Sequence, residues 1–299
     1  MAEATLRWVA RQFGRGARIV SVRRLRGGSS TAIHAVDIED RQGRRHALVL
    51  RRFIRPNWKY PGLPRREANV LEQLERAGYP APRLIAFDAE PAECDARALL
   101  MTRLPGRVEL APKNMTAWLR QMAAALPPVH DVPIGTGLRP YRPYSAPRTL
   151  DVPAWSQEPK AWRAVLGLAR SPQPRTRPRF IHRDYHPGNI LWQRGRLSGV
   201  IDWINAAAGP PGIDIAHCRV NLVRLHGIRV ADRFLAEYAS VTGTSVSDYQ
   251  PYWDAIALVD SNLEPRISPD WGHLAPAGLT SGRMRRRLDA YAAEIAGRS

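Results

Sequence analysis

Residues 182–203 read HRDYHPGNILWQRGRLSGVIDW, and this stretch decides how the rest of the chain is understood. Two β-like runs, "NILW" and "LSGVID", flank the turn-forming "QRGR", so the segment reads as a loop followed by a hairpin. Asp184 and Asn189 lie five apart in the loop, and Asp202 closes the second strand. A hairpin brings all three polar side chains to one end. An aspartate that orients a hydroxyl, with an asparagine and a second aspartate as hard oxygen ligands for Mg²⁺, is the set phosphoryl transfer requires, because its catalysis is mostly positioning and charge neutralisation. His182 and His186 are four apart, but Pro187 and Gly188 break the helix that would place them together, which argues against a zinc pair.

Upstream, residues 17–53 show three strand-like segments separated by "GGSS" and "EDRQGR", which predicts a three-stranded meander. "PRREANVLEQLERAG" then places Ala68, Leu71, Leu74 and Glu75 at helical spacing, with Gly78 and Pro80 as the stop. Two further strands follow, "RLIAFD" and "RALLMTRL". Beyond "LPGR" the pattern turns helical: "NMTAWLRQMAAALPPVHD", "AWRAVLGLAR", "IDIAHCRVNLVRLHG", "RVADRFLAEYASVTG" and "GRMRRRLDAYAAEIAG". The expected class is α+β, with a nucleotide-binding lobe of antiparallel sheet and one helix over residues 1–104 and a larger helical lobe over 105–299, hinged near Thr102 to Gly106. The proline-rich stretch 127–178 reads as linkers and an exposed insertion around a helix at 159–170. No internal repeat is present.

Composition narrows the classes. The 299 residues are 44% hydrophobic and 24% charged, ordinary globular usage. The first fourteen residues suit a short amphipathic helix with Leu6, Val9, Ala10 and Phe13 on one face, and lack a signal peptide's apolar core. No run of eighteen apolar residues argues for a membrane span. Two distant cysteines, Cys94 and Cys218, fit reduced, buried thiols and a cytoplasmic setting. The net charge is +18, carried almost wholly by arginine, since Lys59, Lys113 and Lys160 are the only lysines. The arginines are dispersed apart from "RMRRR" at 283–287 and lack aromatic interleaving, which argues against a nucleic-acid partner. A basic surface does suit an anionic nucleotide.

The run "HRDYHPGNILW", then "GVIDW", then "GPPGIDIAH" resembles the aminoglycoside phosphotransferase and choline kinase group of kinase-like small-molecule phosphotransferases. The resemblance spans nearly the whole chain. It implies a protein-kinase-like two-lobed fold, with a small β-rich N-lobe and a larger, mainly helical C-lobe. The family's usual first motif is H-G-D-x-H-x-x-N; here Arg183 replaces the glycine and gives the H-R-D of protein kinases. Only eleven residues separate Asp202 from Asp214, too few for a protein-kinase activation segment. Carried over, the resemblance implies Asp184 as the catalytic base, Asn189 and Asp202 as Mg²⁺ ligands, and His182, His186 and Asp214 as structural supports of the loop.

On the nucleotide side the resemblance implies phosphate contact from the turn containing Gly27, Gly28, Ser29 and Ser30. The lysine of the third strand is replaced by Arg51, paired with Glu67; guanidinium also binds phosphate, and a solvated strand end at Arg51 and Arg52 is the alternative. Backbone groups from about Thr102 to Leu104 would face the base of ATP or GTP. The implied partners are the nucleotide and a small-molecule hydroxyl acceptor: an aminoglycoside-like antibiotic, a sugar or an amino alcohol. Asp248, Asp254, Asp260, Glu264 and Asp270 are candidates to line an acceptor cleft. A monomer or homodimer is expected. The competing reading is a catalytically silent, kinase-like nucleotide-binding protein.

Overall fold

The turn-punctuated run at 17–53 folds as a meander whose register places Arg51 inside it. A computed structural model describes residues 2–25, 31–54, 62–260, 265 and 272–298. Contacts divide the chain into two units: Met1–Pro105 with Gly199–Ile204, and Gly106–Ser198 with Asn205–Ser299.

The first unit opens with helix α1 (Glu3–Arg11), followed by β1 (Arg18–Arg24), β2 (Ala32–Glu39), β3 (Arg45–Phe53), α2 (Leu63–Arg76), β4 (Leu84–Asp88) and β5 (Arg97–Thr102). The strands form one antiparallel sheet in the order β1-β2-β3-β5-β4. Period-two alternation sends Leu48 and Leu50 of central β3 into a core with Trp8, Val9, Val36, Ile38 and Leu100. α1 buries Thr5, Trp8 and Val9; of the face its sequence suggested, Val9 is inside and Phe13 packs against the same core, while Leu6 and Ala10 are half-buried. Helix α2 buries Ala68, Leu71 and Leu74 as predicted, while Glu75 faces solvent and Gly78 follows at φ +67°.

The second unit contains β6 (Arg107–Val108), α3 (Met115–Ala125), α4 (Pro127–His130), α5 (Pro159–Arg170), β7 (Arg179–Ile181), β8 (Ile190–Gln193), the start of β9 (Arg196–Val200), β10 (Ala207–Gly209), α6 (Gly212–His226), α7 (Ile228–Thr242), α8 (Pro251–Asp260) and α9 (Ser281–Arg298). Asn114 caps α3, its Oδ1 accepting from the Ala117 N–H at 3.0 Å. α6 packs against α7, α8 and α9. A side chain at Gly212 has no room, since a Cβ there would stand 2.4 Å from the Trp253 ring.

Two expectations are corrected. Helix α5 is no exposed insertion: Trp162, Val165, Leu166 and Ala169 are buried against α8 and α9, and the Trp162 indole donates to Asp289 at 2.8 Å. The sequence pattern also places no helix at 251–260, yet α8 forms there with eight of its ten residues inside, Tyr252 and Trp253 among them.

Candidate active site

In the second unit, β7 delivers the chain to a loop whose backbone is fixed from α6. Asp214, fully buried, accepts the His182 N–H at 2.8 Å and the Arg183 N–H at 2.6 Å, and meets His130 Nε2 at 3.2 Å. Both oxygens of one carboxylate are thereby spent on the loop. Arg183 takes φ +70°, a conformation that non-glycine residues seldom adopt, where the related motif carries glycine. His182 Nδ1 then accepts the Asp184 N–H at 3.2 Å, which sets the direction of the Asp184 side chain.

Asn189 Nδ2 donates to the Asp184 carbonyl at 2.9 Å and to its Oδ2 at 3.3 Å. The Asn189 amide oxygen makes no bond among the described residues, and it is a hard oxygen donor of the type a divalent cation takes. Asp184 Oδ1 lies 2.9 Å from His217 Nε2 and 3.7 Å from His186 Nε2. Burial alone would raise the Asp184 pKa. His186, then the hydrogen bond and charge of His217, outweigh it and hold the carboxyl well below the usual range. Asp184 is therefore an ionised acceptor with a quarter of its side chain exposed.

Asp184, His186 and His217 also bring three potential metal-ligand atoms within 4.8 Å of one another. His186 Nδ1, however, accepts the Gly188 N–H at 3.0 Å, so the ring hydrogen sits on the Nε2 that faces the carboxylate. That nitrogen has no lone pair to give a cation, and the trio serves to orient Asp184. Sequence reasoning did not single out His217. The signal was its place three residues after Asp214: positions i and i+3 share a helix face, so a helix that pins the loop with one presents the other to it.

In the first unit, Arg51 on β3 is buried at 5% exposure, which excludes a solvated strand end; Arg52 is buried as well and pairs with Asp95. Arg51 Nη1 donates to Asp202 Oδ1 at 2.9 Å, and its Nη2 stands 3.5 Å from Glu67 Oε1 on α2. Burial would lower the guanidinium's pKa, but Glu67 and Asp202 together raise it, so Arg51 stays cationic. Burial pushes Glu67 up to about 7 against the pull of Arg51, and Glu67 Oε2 is buried without a partner among the described residues. Asp202 sits at φ +67°, a second strained position, and its Oδ2 makes no bond among the described residues. Taken singly, the Asp202 carboxylate of the first unit and the Asn189 amide of the second are each the hard oxygen type that Mg²⁺ takes.

Of the hinge groups, the Thr102 N–H is spent on the Arg83 carbonyl at 2.9 Å and the Arg103 N–H on Ala47 at 2.9 Å. That leaves carbonyls and Leu104 for a base. Gly27, Gly28, Ser29 and Ser30, together with Glu264 and Asp270, lie outside the described residues. The other acids proposed for the cleft have structural partners. Asp254 is buried against Arg219 and Tyr249, Asp260 against Arg183 and the Ser145 N–H, and Asp248 closes a capping box with Ser245.

A profile of the APH phosphotransferase enzyme family matches residues 21–257. The chain belongs to this phosphotransferase family. Solved structures agree on the fold. A type I macrolide 2′-phosphotransferase superposes with a TM-score of 0.60 at 20% identity, covering 93% of this chain and 99% of that one. The macrolide 2′-phosphotransferase MphH of Brachybacterium faecium gives 0.59 at 18%, covering 100% and 99%. A thermostable aminoglycoside phosphotransferase APH(4)-Ia variant, solved with AMP-PNP and hygromycin B, gives 0.61 at 15%, covering 97% and 98%. A search of curated proteins finds no match. Like these structures, the chain has an α+β, kinase-like fold, and the family to which it belongs is one of phosphotransferase enzymes. Among the described residues no helix is long and apolar enough to cross a membrane.

Proposed function

We propose that the protein transfers the γ-phosphate of ATP or GTP, with Mg²⁺, to a hydroxyl group of a small molecule. The observation that carries this reading is Asp184: an ionised carboxylate, oriented by His217 at 2.9 Å and by Asn189, on a loop that Asp214 locks. Asp184 holds the acceptor hydroxyl and takes its proton as the oxygen–phosphorus bond forms and the nucleoside diphosphate leaves. When bound, Mg²⁺ neutralises charge on the phosphates. Asn189 offers its amide oxygen and Asp202 its Oδ2 for that purpose, and Arg51 supplies the phosphate-binding cation that lysine provides in relatives. The nucleotide assignment is further supported by the APH(4)-Ia neighbour solved with AMP-PNP.

One observation favours the silent, nucleotide-binding alternative: Arg51 stands in place of lysine and already holds Asp202. The experiment that separates the two readings measures ADP release in the presence of hydroxylated acceptors for wild type and Asp184→Ala, with nucleotide affinity measured in parallel. Transfer in wild type, abolished by Asp184→Ala at near-unchanged nucleotide affinity, supports the enzyme. Nucleotide binding without transfer supports the silent protein.

A further inference from the structure

Beside Asp184, one aromatic ring has no structural duty that explains its exposure. Tyr144 is 51% exposed, yet the guanidinium carbon of Arg183 lies only 3.3 Å from its ring centroid. Arg183 itself is 2% exposed and immobilised beneath the ring. Its Nε donates to the Arg142 carbonyl at 3.1 Å, its Nη2 lies 3.3 Å from Asp260 Oδ2, and its guanidinium carbon stands 5.0 Å from the Tyr141 ring centroid. Asp260 in turn accepts the Ser145 N–H at 2.7 Å and the Tyr144 N–H, so the backbone on both sides of the ring is tied to the same carboxylate. Arg183 immediately precedes Asp184 in the chain, and the charge of Asp184 is felt at the Tyr144 phenol, where burial and then Asp184 raise the pKa. The arrangement is an aromatic plate stacked on a buried cation and half exposed, and that cation is the chain neighbour of the base.

The surrounding charge restricts what the plate accepts. Among the described residues, the carboxylates considered for a polycation are engaged elsewhere: Asp260 on Arg183, Asp254 on Arg219, and Asp248 in its capping box. Arg139 adds positive charge toward Tyr144. An aromatic face favours the C–H face of a saturated ring or another π-system, and gains no charge attraction for ammonium groups when a guanidinium already occupies its other side.

Building on the phosphotransferase reading, we propose that Tyr144, held by Arg183 and Asp260, is the acceptor-binding wall, and that it selects an uncharged, polyhydroxylated ring over a polycationic one. Tyr144 contacts the acceptor ring while Asp184 holds one of its hydroxyls; Arg183 and Asp260 are positioning residues that fix the wall's angle to the base.

The test measures ADP release with methyl β-D-glucoside, phenyl β-D-glucoside and myo-inositol as neutral acceptors and hygromycin B as the cationic one, for wild type, Tyr144→Ala and Tyr144→Phe. The expected result is transfer to at least one neutral ring, with the acceptor KM raised about tenfold by Tyr144→Ala, near wild type in Tyr144→Phe, and the nucleotide KM unchanged in both. Preferred transfer to hygromycin B overturns the inference, as does an acceptor KM indifferent to Tyr144→Ala. Nucleotide binding without transfer to any neutral ring also overturns it. Loss of both nucleotide binding and ADP release with every acceptor instead marks failure of the phosphotransferase reading on which it rests.

Discussion

Arg51 Nη1 donates to Asp202 Oδ1 at 2.9 Å, closer than the 3.5 Å that separates its Nη2 from Glu67. One buried cation thus holds the carboxylate proposed for Mg²⁺ and the glutamate of α2 together. A charge-assisted hydrogen bond contributes about 1.5–3 kcal/mol, so a lost phosphate contact lowers affinity roughly tenfold to a hundredfold. Arg51→Ala is expected to weaken nucleotide binding by that range in calorimetric titration, and Arg51→Lys to recover most of it. Unchanged affinity in Arg51→Ala would show that this cation does not grip phosphate.

Glu67 makes stability depend on pH. Burial pushes its carboxyl up to about 7 in the folded chain, from the ordinary 4.5 that it keeps when unfolded. Between those values the folded state binds more protons, so stability is full below about pH 4.5 and declines as pH rises toward 7, with a limiting slope of about 1.4 kcal/mol per unit. Glu67→Gln is expected to flatten this slope in urea melts taken from pH 4.5 to 7.5. A wild type whose Glu67-dependent stability rises across that window contradicts the burial argument.

Asp214 is expected to matter for the loop before it matters for turnover. Asp214→Ala strands the buried N–H groups of His182 and Arg183, each costing about 1–3 kcal/mol. The urea midpoint should therefore fall by an amount equivalent to about 2–5 kcal/mol, with transfer lost as well. A loss below about 1 kcal/mol would mean that the loop is held by other contacts.

Inside the second unit, Arg219 and Asp254 form a buried pair at 3.1 Å, with exposures of 0% and 1%. Arg219→Met leaves Asp254 buried without its counter-charge and is expected to cost about 3–5 kcal/mol, Asp254→Leu leaves Arg219 with Asp232 alone and is expected to cost less, and the double substitution costs much less than the sum. Additive losses in a denaturation cycle would show that the two charges act independently.

The legibility of the sequence follows from the same physics. The meander was readable because glycine-rich turns separate alternating strands, and α2 because its apolar residues fall on one face. α8 was missed because it is buried on nearly every side and so lacks the polar face that reveals helical period. The buried face of α1 extends beyond Val9 and Phe13 to Thr5 because Thr5 turns inward to donate to Asp95, a contact ninety residues away. Asp184, Asn189 and Asp202 were singled out by residue type and spacing. His217 was not, because its partner Asp184 lies more than thirty residues distant and only the docking of α6 on the loop joins them. Arg183 read as a departure from glycine, while its stacking on Tyr144 depends on a segment some forty residues earlier.

The most direct test of the central claim is nucleotide binding followed by thermal shift, with ATP or GTP, with and without Mg²⁺, on wild type and Asp202→Ala. A ligand that binds only the folded chain raises its melting temperature by mass action. The account predicts a Mg²⁺-dependent rise in wild type that is lost in Asp202→Ala. An equal rise in both proteins, or none in wild type, would contradict it.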